Sequence, residues 1–299
     1  YPYSVWAQRW AVKIPVLTIF IAVFILSLSI GSFLNVVIYR LPLMMQRQWQ
    51  NECDEYIDDQ KDQPSLDLPE KFNLSLPRSS CPKCNSSISA WQNIPIVSYL
   101  LLRGKCANCK TPISARYPLV ELFTAIASVI VINHFGFNLA GFFALAFTWL
   151  LIALAGIDND TQLLPDSITL PLLWIGLAAN SAAVFTPLNF AVWGAIFGYL
   201  SLWLVFWLFK LITGKEGMGY GDFKLLAALG AWMGWQALPI IIILSATCGA
   251  IIGILQIVIN KRDSQKTIPF GPYLAAAGWI TLLWQQPIVE AYFNIVGLN

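Results

Sequence analysis

Gly219-Tyr220-Gly221-Asp222, followed at once by the apolar run Phe223 to Met233, sets a carboxylate at the head of a hydrophobic segment. A second carboxylate, Asp158, closes another apolar run. An ionisable group at the end of a spanning helix costs free energy that ordinary packing does not return, so it reads first as functional. Two such acids point to acid–base hydrolysis at a membrane face. The glycines beside Asp222 tolerate φ > 0 and, lacking Cβ, let backbone or substrate come close.

Working outward from these runs, composition fixes the class. With 57% hydrophobic and 11% charged residues and a mean hydropathy of +0.64, the chain is excluded from the ordinary soluble proteins. Apolar runs approaching the roughly 20 residues a helix needs to cross a bilayer lie at 14–38, 118–133, 139–157, 168–185, 190–211, 223–236, 238–259 and 270–285. Joining the sixth to the seventh would give a run too long for one crossing, so the sequence predicts an all-α polytopic membrane protein of about eight transmembrane helices. The first run continues into Gly31-Ser32-Phe33-Leu34-Asn35 without a small-residue cleavage site and is expected to stay in place.

Basic loops resist translocation. With eight spans, sixteen of the eighteen Lys and Arg residues collect on one side: the ten from Arg40 to Arg116, then Lys210, Lys215, Lys224, Lys261, Arg262 and Lys266. Arg9 and Lys13 fall on the other side. Both termini are therefore expected outside and the loops before spans two, four, six and eight in the cytoplasm, which puts Asp158 and Asp222 on the same cytoplasmic face. The net charge of +2 is small, and topology accounts for the basic residues, so nothing calls for nucleic acid as a partner.

Residues 41–116 carry most of the charge and read as a cytoplasmic insertion between a first membrane helix, 1–40, and a seven-helix body, 117–299. From Gln46 to Glu70 the insertion is acidic and polar, either a solvated helix or a disordered strip. Beyond it stand Cys81-Pro82-Lys83-Cys84, twenty-one residues, and Cys106-Ala107-Asn108-Cys109. Two such knuckles at nearly zinc-ribbon spacing predict a structural zinc held by Cys81, Cys84, Cys106 and Cys109, a closed four-sulfur set with no place for a substrate water. A reducing cytoplasm argues against disulfides, and so small a segment lacks the core to fold unaided. Cys53 and Cys248 stand alone and read as unpaired small side chains. The single histidine, His134, falls on the external side, away from Asp222.

The order of pieces resembles the bacterial type IV prepilin peptidases, which combine a leader peptidase and an N-methyltransferase in one chain. The resemblance covers nearly the whole length. It rests on Gly31 through Pro42, the paired Cys-x-x-Cys, Arg116-Tyr117-Pro118-Leu119-Val120-Glu121-Leu122, Asp158 through Asp166 with Leu164-Pro165-Asp166, Gly217 through Lys224, and Pro269-Phe270-Gly271-Pro272. One departure is Tyr39, where many relatives carry histidine. The resemblance implies an aspartic peptidase with Asp158 and Asp222 as the catalytic pair, one carboxylate ionised as general base and the other protonated as acid, since like charges held close do not both ionise. Of the other acids on this face, Asp166 follows Pro165 and reads as a helix cap, and Asp160 as a solvated turn residue. Lys224 and Lys215 read as topology anchors.

By the same resemblance the substrate is a prepilin or pseudopilin, a basic leader ahead of an apolar helix in membrane lipid, cut at the inner face of the bacterial inner membrane. The new N-terminal amine is then methylated from S-adenosylmethionine. No glycine fingerprint marks a cofactor site. Gly104 and Lys105 match positions tied to methylation in the family, with a turn glycine and a solvated lysine as the ordinary reading. Glu121 is an intramembrane acid and a second candidate, or a partner for Arg116 or another helix. Two other readings stay open: a peptidase without methyltransferase activity, whose members usually lose the paired cysteines, and a transporter using the ribbon as a docking module, which would carry its acids midway through broken helices.

Overall fold

The structure is a computed structural model that describes residues 16–56, 68–69, 71–260 and 269–296. Arg9, Lys13, much of the acidic stretch between Asp58 and Glu70, and Lys261, Arg262 and Lys266 lie outside the described residues, so the topology argument they carry is not visible in it. Helices are α1 (Val16–Tyr56), α2 (Val97–Leu101), α3 (Arg116–Phe135), α4 (Leu139–Thr161), α5 (Asp166–Ser181), α6 (Leu188–Thr213), α7 (Tyr220–Met233), α8 (Leu238–Asn260) and α9 (Gly271–Val296). All but α2 correspond to the eight expected runs.

Among the described residues, five helical stretches are long and apolar enough to cross a membrane: Leu17–Asp54, Arg116–Phe135, Leu139–Thr161, Leu188–Thr213 and Trp235–Gln256. The chain is thus a multi-pass membrane protein. Helix α9 is broken at Trp284, whose φ of −130° leaves the helical range three residues before Pro287. A proline in that position removes an N–H and clashes with the carbonyl four residues back. Helix α1 differs from expectation at its end. It continues through Pro42 to Tyr56, because the residues after the membrane run, Met44-Met45-Gln46-Arg47-Gln48, are unbranched and favour helix.

At 14 residues α7 is too short to cross alone, and its burial explains why it need not. From Asp222 to Met233 every residue except Lys224 is buried, so the helix is apolar all round and is enclosed by protein rather than lipid. Helix α6 meets it through glycines: a Cβ on Gly194 would collide with Gly230 O, one on Gly230 with Gly194 O, and one on Gly198 would lie 2.6 Å from Leu226 O. Removing side chains here brings the two backbones into contact, and in lipid such close packing drives association. On the other side, the Trp232 indole donates to Leu172 O of α5 at 2.8 Å. Asn180, also buried, donates to Ala231 O and Trp232 O and accepts from Phe185 N and Thr186 N, which satisfies its amide and ties the end of α5 to the end of α7.

Candidate active site and metal centre

Asp158 lies in the last turn of α4, where the chain leaves the helix through Gln162 at φ 56°. Asp222 lies in the first turn of α7. Both are buried, 5% and 6% exposed. They approach through the start of α9 and the loop after α4: Gly271 N donates to Asp158 Oδ2 at 2.9 Å, and Leu164 sits between Gly221 and Gly271, 2.7 Å and 3.2 Å from the Cβ each would otherwise carry. Leu164 thus links the glycine next to Asp222 with the glycine that bonds Asp158. Asp222 Oδ1 is buried and has no hydrogen-bond partner in the protein. Gly219 is open, with nothing nearer than 3.9 Å to the place of a Cβ, leaving an approach from that side. A pair of buried carboxyl groups with one unsatisfied oxygen can hold a water and divide its protons.

The neighbouring acids differ from their sequence reading. Asp160 is exposed, as its reading had it, but it belongs to the last turn of α4 and not to the loop beyond, and it pairs with Arg116 at 2.6 Å. Asp166 is the first residue of α5, at the positive end of the helix as its reading had it, but the N-cap is Pro165 and makes no side-chain cap bond; both Asp166 oxygens take Lys224 Nζ at 2.7 Å. Lys224 is therefore a bridge between α5 and α7, and Arg116 is taken by Asp160 rather than Glu121.

Glu121, in the second turn of α3, accepts Ile96 N at 2.9 Å, and the Ser32 side chain lies beside its carboxylate. Beside it a cavity of about 340 Å³ is lined by Ser29, Ser32, Phe33, Val36, Asn93 and Pro95. Ser32 thus belongs both to the cavity wall and to the Glu121 carboxylate. Gly104 and Lys105 sit elsewhere, in the turn that opens the second cysteine knuckle. Gly104 has φ +66°, and a Cβ there would lie 2.9 Å from Tyr99 Oη, so glycine is required by the turn as well as by its neighbour.

The two knuckles repeat each other bond for bond. Cys81 N donates to Ser86 O, Asn85 N to Cys81 O and Ile88 N to Ser79 O; Cys106 N donates to Thr111 O, Lys110 N to Cys106 O and Ile113 N to Gly104 O. Asn85 and Lys110 both take positive φ, 53° and 60°, and each knuckle is closed by an antiparallel bridge, Ser80 with Ser87 and Lys105 with Pro112. The four Sγ atoms all lie within 4.8 Å of one another, with Cys81 and Cys109 at 3.7 Å. Tetrahedral zinc at about 2.3 Å from each sulfur needs sulfurs about 3.8 Å apart, so the set fits that ion. The Ser86 hydroxyl and N–H hold the Cys84 thiol down at about 6, and the N–H groups of Cys109 and Asn108 lower Cys106. Both of these thiols are thereby more readily ionised.

The bacterial peptidase A24 N-terminal domain matches residues 25–135, and the type IV leader peptidase family matches residues 145–254. A prepilin leader peptidase/N-methyltransferase of Stutzerimonas stutzeri is 54% identical over 274 residues, covering 92% of this chain and 93% of its own. The chain belongs to the type IV leader peptidase family. Other relatives of the same description come from Aeromonas salmonicida, 55% identical over 277 residues with 93% and 94% covered, and Pseudomonas aeruginosa, 54% over 275 residues with 92% and 93% covered. No solved structure matches.

For a member of this family, sequence reasoning found the acids and the cysteines but missed what holds them. Gly194-Ala195-Ile196-Phe197-Gly198 is a small-residue repeat of the kind that packs membrane helices, and it was the available signal for the α6–α7 contact. Asn180 gave a weaker one, an amide inside an apolar run.

Proposed function

We propose that this chain cleaves the leader from type IV prepilins and pseudopilins with Asp158 and Asp222, and then methylates the exposed amine. The observation that supports the first activity is the buried acid pair with one unsatisfied oxygen, Asp222 Oδ1. A water between the carboxyl groups loses a proton to one of them while its oxygen bonds to the scissile carbonyl carbon. The other carboxyl gives its proton to the carbonyl oxygen. Collapse of this adduct breaks the C–N bond, with a proton passing to the departing nitrogen. A substrate whose apolar helix lies in the bilayer and whose leader lies outside it presents its scissile bond at the depth of helix ends, where both acids are. Exclusion of bulk water by Leu164 and the surrounding helices keeps the protons within the pair.

Methyl transfer draws its methyl group from S-adenosylmethionine, a cationic donor. The cavity beside Glu121 suits it in size, and its Ser32 wall lies beside the Glu121 carboxylate. In this reading Glu121 faces a positive group, the donor or the pilin amine, while Gly104 and Lys105 act by shaping the knuckle turn. Zinc, held by Cys81, Cys84, Cys106 and Cys109, supplies folding free energy to the insertion. We place the insertion in the cytoplasm and both termini in the periplasm of the inner membrane, on the basic-residue asymmetry.

The test is cleavage of purified prepilin by detergent-solubilised wild type, Asp158→Asn, Asp160→Asn and Asp222→Asn, with product mass reporting leader loss and added methyl. Asp158→Asn and Asp222→Asn are expected to lose activity by about 10²–10⁴ or more, and Asp160→Asn to retain it. Undiminished cleavage by Asp222→Asn would overturn the mechanism. A product lacking the methyl would leave a peptidase only.

A further inference from the structure

The start of α9 gives the two acids unequal surroundings, a point that rests on reading them as the hydrolytic pair. The opening turn of a helix carries N–H groups with no partner inside it. In α9 most are accounted for: Pro272 has none, and those of Tyr273 and Leu274 both donate to Phe270 O at 3.1 Å. Gly271 N donates instead to Asp158 Oδ2. Asp158 needs this donor. It sits in the last turn of α4, where free carbonyls disfavour negative charge, whereas the α9 N-terminus favours it. Asp222 has the Gly219 N–H near its carboxyl group, but its buried Oδ1 has no bond at all, although the residue lies in the first turn of α7. A buried oxygen without a donor, beside a charged carboxylate, is more stable carrying a proton.

We propose that the Gly271 N–H fixes the division of labour, making Asp158 the ionised base that deprotonates the water and Asp222 the acid that protonates the substrate carbonyl. The water's proton goes to Asp158 as its oxygen bonds to carbon, and the Asp222 proton goes to the carbonyl oxygen. On collapse Asp158 passes its proton to the departing nitrogen, the C–N bond breaks, and a hydroxyl of the adduct returns its proton to Asp222. One water is consumed and both carboxyl groups are restored. Gly271 is the positioning residue. It also has to be small, since a Cβ would lie 2.7 Å from Asp158 Oδ2 and 3.0 Å from its Cγ. Its φ is outside the left-handed range, so alanine tests the contact and not backbone strain.

The experiment measures kcat and KM for prepilin cleavage by the full-length enzyme in detergent, with melting midpoint and methyl transfer to already cleaved pilin as readouts of the fold. Gly271→Ala is expected to lower kcat by about 10²-fold with KM within about twofold. Gly278→Ala, which crowds Leu229 further along α9, is the packing control and is expected to leave kcat within about threefold. Wild-type kcat in Gly271→Ala, or equal losses in the two variants, would overturn the proposal. Should Gly271→Ala fail to fold, an ester replacing the Gly271 amide deletes the N–H and adds no atom, and an unchanged kcat there would overturn it equally. Asp158→Asn separates the two levels. Wild-type cleavage by that variant brings down the hydrolytic pair itself, while an inactive Asp158→Asn beside a fully active Gly271→Ala removes only the division of labour.

Discussion

Residues 79–113 and helix α7 hold their functional groups by different means. Around the cysteines the backbone is fixed by six local hydrogen bonds in two matching sets, and Cys81 is the only hydrophobic residue of that stretch that is buried. From Asp222 onward every residue of α7 but Lys224 is buried, and close backbone packing against α6 does the holding. The knuckles are organised by chemistry between a few atoms; the acid pair is organised by the fit of whole helices. Damage should therefore spread differently from each.

Chelation or Cys84→Ser tests the first half of this contrast and carries the largest expected effect. Structural zinc contributes about 10–16 kcal/mol to small zinc domains, so the insertion is expected to become cleavable by protease at least about a hundredfold faster, with the melting midpoint of the helical body unchanged. A body that melts with the insertion would erase the distinction. Gly230→Val tests the second half. Its methyls would have to enter the space of the Gly194 carbonyl, an overpacking expected to cost about 1–3 kcal/mol, read as a lower melting midpoint in detergent at unchanged zinc content. Loss of zinc in that variant would show that the two regions are mechanically one. The smallest effect is expected for Lys224→Met, which breaks the partly exposed pair with Asp166 and should cost about 0–1 kcal/mol; a larger loss would mean that α5 and α7 depend on charge as well as on Trp232 and Asn180.

The same contrast governs what the sequence made legible. Cysteine spacing is local, so the knuckles could be read directly, and acids at the ends of apolar runs mark themselves by their cost. The partners of those acids could not be read. Asp166 meets a lysine 58 residues away, Asp158 a backbone N–H 113 residues away, and Glu121 the N–H of Ile96 rather than the guanidinium five residues before it in sequence. Which of several nearby charges pair depends on how helices sit against one another, and apolar periodicity carries no such information. The run of α1 past residue 38 was legible only as one of two alternatives, a solvated helix or a disordered strip, because once the residues turn polar hydropathy stops reporting helix although the backbone preference persists.

The repeated knuckles have one more consequence, which follows from chain connectivity. Joining Cys84 to Cys106 through a single ion makes a ring of the residues between them, and that ring contains Ile96, whose N–H rests on Glu121. A covalent closure of a loop of about this size removes conformational entropy worth about 3 kcal/mol from the open chain. An ion held there would lie apart from Glu121 and from the residues lining the cavity, yet it would shorten the tether that carries Asn93, Pro95 and Ile96 to the membrane helices.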